Sequence, residues 1–94
     1  MANYIARVEL HYATDDDYQT LHGAMAQRGY ARTITGDDGS TYYLPTGTYD
    51  MTSSGMSLQQ ALDAAIAAAK ATSNSYEIIV AERGAATWVG LTRK

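Results

Sequence analysis

The chain has no cysteine and no phenylalanine, and a single proline in 94 residues. Without cysteine there is no disulfide framework, thiol nucleophile or cysteine-ligated zinc site. That absence fits a reducing compartment, and a cytoplasmic protein is the expectation. Charge is also scarce: 18% of residues are charged and the net charge is −3. A mildly acidic chain is a poor general partner for phosphate backbones, so DNA is not an expected partner. Long apolar runs are missing. The opening MANYIARVELHY places Arg7 and Glu9 inside its apolar stretch, which is unlike a signal peptide. No run approaches the ~20 residues needed to span a bilayer, so no membrane partner is expected.

What is present is a globular composition, 46% hydrophobic, over a length that suits one domain, residues 1–94. The aromatic set is eight tyrosines and one tryptophan. Buried tyrosine needs a partner for its hydroxyl, so these rings are expected half in the core and half at a surface.

Hydrophobic patterning gives the order of elements. Residues 4–12 alternate, with Tyr4, Ala6, Val8, Leu10 and Tyr12 on one side and Ile5, Arg7, Glu9 and His11 on the other. Period two reads as a strand with one buried face. A helix follows: Thr14 is its N-cap, Asp15, Asp16 and Asp17 fill the positive first turn, and Gly29 stops it. YARTITGDDGSTYYL reads as a hairpin turning at Asp37-Asp38-Gly39. The second arm is expected to continue through an irregularity at Pro45 and Gly47 to Met51. Ser57 and Gln60 form a capping box for a second helix to about Ala71, its buried face Leu58, Leu62, Ala65, Ile66 and Ala69. YEIIVAE is another strand, and the tail, with Trp88 and Leu91, is expected as a short fifth strand. It would either extend the sheet beside YEIIVAE or cross to a second copy. The order β-α-β-β-α-β predicts an α+β, ferredoxin-like split βαβ fold: a four-stranded antiparallel sheet with two helices on one face.

Chemistry-bearing clusters are few. The aspartate triplet is explained by the helix N-terminus without a metal, and Asp37-Asp38-Gly39 lacks the rest of a calcium loop. No metal site or cofactor is expected. His11 and His22 are the side chains that titrate near neutrality. A histidine could take the proton from a ribose 2′-hydroxyl in phosphodiester cleavage, with Arg7, Arg28 or Arg32 steadying the charge. Tyr42, Tyr43 and Tyr49 lie on one arm, the way aromatic platforms stack on bases, but TYYLPTGTYDM does not carry the RNA-recognition order.

NYIARVELHY, MAQRGYARTI, LPTGTYDMTSS and YEIIVAERG, taken together, resemble the GhoS family. The likeness runs over nearly the whole chain, with Tyr4, Leu21, Met25, Ile34, Leu44 and Thr52 among the matching positions. The resemblance implies a small bacterial ferredoxin-like antitoxin, a metal-independent endoribonuclease that cuts the messenger of a membrane toxin. It implies single-stranded RNA as partner. His22 and Arg28 would be catalytic, and Arg32 and Tyr49 would bind RNA, Tyr49 by stacking on a base or supporting the site. The family carries arginine where this chain has His22 and phenylalanine where it has Tyr49. The first exchange replaces a permanent charge with a titratable one. The competing expectation is a non-catalytic interaction module, a homodimer joined at a sheet edge or through its tyrosines.

Overall fold

The structure, a computed structural model, describes residues 1–94, the side chain of Ser53 excepted. It is an α+β fold of two helices and five antiparallel strands: β1 (Ala2–Leu10), α1 (Asp15–Gln27), β2 (Thr33–Thr35), β3 (Thr41–Tyr43), β4 (Thr48–Ser54), α2 (Leu58–Lys70) and β5 (Tyr76–Glu82). No helix among the described residues is long and apolar enough to cross a membrane.

The expected four-stranded sheet is not formed. β4, β1 and β5 make a three-stranded sheet in that order, while β2 and β3 pair as a separate hairpin. A single bridge, Ala31 to Asp50, ties the hairpin's leading arm to β4. The cause lies at Pro45. The arm expected to run on to Met51 breaks there into β3 and β4, because Pro45 has no N–H for a ladder. Its carbonyl instead accepts from Thr48 N at 2.9 Å, closing a turn. Gly47 then takes φ +85°, and its carbonyl accepts from Val8 N at 2.7 Å. A Cβ there would stand 2.5 Å from the Val8 carbonyl oxygen, so this approach of turn to β1 requires glycine.

β1 is the spine. Tyr4, Ala6, Val8 and Leu10 are buried, and the alternation ends at Leu10. Tyr12, expected on that face, has φ +55° and is fully exposed, because the chain has already turned toward α1. α1 starts with a complete capping box: Thr14 Oγ1 accepts from Asp17 N, and Thr14 N donates to the Asp17 carboxylate. Leu21 and Met25 are its buried residues. They join one cluster with the inner face of β1, Tyr49 and Met51 of β4, and the small residues of α2. Burying a side chain of Leu21's size contributes about 1.5–3 kcal/mol.

α2 begins at the expected Ser57–Gln60 capping box, but the face on the core is shifted toward its alanines. Ala65 and Ala69 are buried as expected and Ala61 and Ala68 join them, whereas Leu62 and Ile66 are half-buried and Leu58 is about half exposed. The reason is steric. The sheet and the α1–β2 loop fill the space with large rings, Tyr4, Tyr30 and Tyr49, so the helix must present its smallest side chains and lie close. Two polar bonds hold the N-terminal end of the helix: Tyr30 O–H donates to the Ala61 carbonyl at 2.8 Å, and Tyr4 O–H to the Met56 carbonyl at 2.7 Å.

The tail does not extend the β5 edge. It turns back to the hairpin, where Arg93 bridges Tyr42, and Tyr43 N and Lys94 N donate to the Thr92 and Thr41 carbonyls. Trp88 packs on Tyr42, ring centroids 5.5 Å apart.

Candidate functional site

α1 brings His22 round to the sheet because it lies one residue past buried Leu21 and three before buried Met25, at the margin of the apolar stripe. β4 brings Tyr49 to the same place from below, on its core-facing side. The two meet: His22 Nδ1 lies 2.6 Å from the Tyr49 hydroxyl, with ring centroids 5.7 Å apart. Tyr18, one helical turn before His22, sits 6.5 Å from it ring to ring. Its hydroxyl accepts from Leu10 N at 3.1 Å, pinning α1 to the end of β1.

Burial of the imidazole, and second the positive charge of Arg32, hold the His22 pKa below its ordinary 6.5. The ring is therefore neutral at neutral pH. The Tyr49 hydroxyl is pushed up, chiefly by burial, and stays protonated. Arg32, half-buried just ahead of β2, acts on both groups and has no ion-pair partner among the described residues.

Two of the four expected site residues, His22 and Tyr49, thus meet, and Arg32 lies near enough for its charge to act on both. Arg28 does not join them. It caps the end of α1, exposed, about six residues and roughly 9 Å of helix rise beyond His22. Tyr49 is 0% exposed, so stacking on a base is excluded; the strand's core-facing register buries the ring under α1, and its hydroxyl serves His22 instead. Tyr18 was expected on the helical stripe with Leu21, His22 and Met25, but not as a site residue. Its signal was present in the sequence, since it precedes His22 by four residues and so shares its helical face.

Also missed was a buried ion pair. Arg83, just past β5, donates through Nε to Asp50 Oδ1 at 2.5 Å and through its terminal nitrogen to Oδ2 at 3.3 Å. Thr52 Oγ1 adds a third bond to Asp50, which is 4% exposed. This pair floors a cleft of about 420 Å³ bounded by Gly29, Thr33, Thr35 and Thr52. A second cleft of similar volume lies between the hairpin turn and the tail, walled by Tyr42 and Trp88. Neither includes His22, Arg32 or Tyr49.

The architecture therefore defines an antiparallel α+β domain with a neutral histidine held by a buried tyrosine, within reach of an arginine that has no ion-pair partner among the described residues. Comparisons of the chain with known protein families, with curated proteins and with solved structures return no match.

Proposed function

We propose that the chain is a ferredoxin-like protein of GhoS type that acts in the cytoplasm as a metal-independent endoribonuclease on single-stranded messenger RNA. One observation carries this reading: His22 Nδ1 of α1 meets the Tyr49 hydroxyl of β4 at 2.6 Å, within reach of the positive charge of Arg32. In the tautomer where Nδ1–H donates to the Tyr49 oxygen, Nε2 keeps its lone pair and accepts the ribose 2′-hydroxyl proton. The 2′-oxygen then attacks phosphorus, the bond to the 5′-oxygen breaks, and that oxygen takes a proton from solvent. Arg32 stabilises the charge on the phosphoryl oxygens. Tyr49 orients the imidazole and touches no base.

The test is incubation of the purified protein with a panel of messengers in EDTA. Cleavage leaving 2′,3′-cyclic phosphate ends is expected, with a loss of about 10²-fold or more in His22→Ala. Intact RNA at high protein concentration would reject the reading for the RNAs used. Intact RNA together with a dimeric mass by light scattering would favour the other reading, a non-catalytic homodimer. That reading draws its support from β5, a seven-residue strand at the sheet edge with Ile79 67% exposed.

A further inference from the structure

The side of the sheet away from the helices carries the other histidine, and it is not alone. Glu9 of β1 and Glu77 of β5 stand directly opposite each other in the antiparallel register. Both are exposed, on the side opposite buried Val8 and Leu10. His11, two residues beyond Glu9, points to the same side, and its Nε2 lies 2.7 Å from Glu77 Oε1. One donor atom from each of the three falls within 4.8 Å of the other two.

Two carboxylates facing each other across neighbouring strands repel, at a cost of roughly 0.2–1 kcal/mol. Arg7, on the same side of β1, lies opposite Ile79, not opposite either glutamate, and Glu9 has no ion-pair partner among the described residues. The histidine is held in a specific pose. Its backbone N–H donates to the Ser75 carbonyl at 2.9 Å, and Asn74 Nδ2 donates to its carbonyl at 3.0 Å. Ser75 Oγ lies 3.2 Å from Nδ1. Nε2 faces the Glu77 carboxylate, and with Nδ1–H donating to the Ser75 hydroxyl a metal ion would take the place of the proton shared between Nε2 and Oε1. Fixing of the distal ring nitrogen by an outer hydrogen bond is the usual support of a metal-binding histidine. Beside the three donors runs a shallow groove of about 250 Å³, lined by Arg7, Glu9, Glu77, Ile78 and Ile79. It leaves room for water or a further ligand.

We propose that Glu9, His11 and Glu77 form a three-ligand site for a divalent transition-metal ion, with Zn²⁺ the best match to a nitrogen-plus-two-carboxylate donor set. Bond lengths of about 2.0–2.2 Å to each donor draw the three inward by small rotations of exposed side chains. An imidazole donor disfavours Mg²⁺, which takes oxygen ligands and keeps its waters. The site sits on the opposite side of the sheet from His22 and stands or falls independently of RNA cleavage.

Calorimetric titration of the full chain with ZnCl₂ tests it. One equivalent is expected to bind, with affinity reduced at least tenfold in both His11→Asn and Glu77→Gln. Asp63→Asn, an exposed carboxylate on α2, should bind like the parent. Circular dichroism of each variant, matching the parent, assigns the loss to the ligand and not to unfolding. Absence of stoichiometric binding, undiminished binding in His11→Asn, or equal affinity for MgCl₂ would each overturn the assignment.

Discussion

The two sides of the β4-β1-β5 sheet treat polar groups in opposite ways. Under the helices, every tyrosine hydroxyl that reaches the core has a fixed partner: Tyr4 with the Met56 carbonyl, Tyr30 with the Ala61 carbonyl, Tyr49 with His22. Burial raises the Tyr30 pKa to about 12. On the other side the polar groups are graded by exposure. Asp50 and Arg83 are enclosed where the hairpin approaches β4, at 2.5 Å, while His11 and Glu77 meet at 2.7 Å with the carboxylate exposed to water. The lesson is that contact length says little about energy. An exposed pair contributes about 0–1 kcal/mol, since water competes for both partners. A buried group stripped of its partner costs several times that, since nothing replaces the lost bond.

The largest expected effect breaks the buried pair. Asp50→Ala leaves the Arg83 guanidinium without its carboxylate, and a loss of about 3 kcal/mol is expected from urea denaturation at neutral pH. A loss under about 1 kcal/mol would place Asp50 with the exposed pairs and remove the contrast. Next comes Tyr49→Phe, which keeps the ring but deletes the hydroxyl facing His22 Nδ1. About 1 kcal/mol should be lost by the same measurement, with the far-ultraviolet spectrum unchanged.

The smallest effect is a pH dependence from the buried side of the sheet, at His22. The folded-state pKa of His22 lies below 6.5, so between the folded and unfolded values the unfolded chain holds more protons at this site. Its contribution to stability is complete above pH 6.5 and declines as pH falls toward the folded value. The difference in stability between parent and His22→Gln should therefore narrow over that window, followed by denaturation at successive pH values. A difference that stays constant or widens would mean the ring is not desolvated.

Much of the fold was legible because its signals are local. The alternation of Tyr4, Ala6, Val8 and Leu10, the caps at Thr14 and Ser57, and the glycine stop at Gly29 depend on neighbours within a few residues. The structure agrees with each. The errors have a common origin in long-range contact. Helical periodicity marked Leu58 as buried, but the bulk of Tyr4, Tyr30 and Tyr49 selects the alanine stripe. Pro45 signalled an irregularity, yet only the pairing of Thr48–Ser54 with β1 shows that it separates two sheets. At the candidate site, the family resemblance groups His22, Arg28, Arg32 and Tyr49. The contact of His22 with Tyr49, the detachment of Arg28 and the burial of Tyr49 follow from how α1 crosses β4.

By itself the sequence determined the two helices with their caps, the strands β1 and β5, and the absence of thiol chemistry, because each rests on residue type and short spacing. Tertiary structure alone decided which polar groups meet: His22 with Tyr49 across 27 positions, Asp50 with Arg83 across 33, His11 with Glu77 across 66. Such pairings depend on strand register and on the seating of a helix, and both are set by the packing of the whole core.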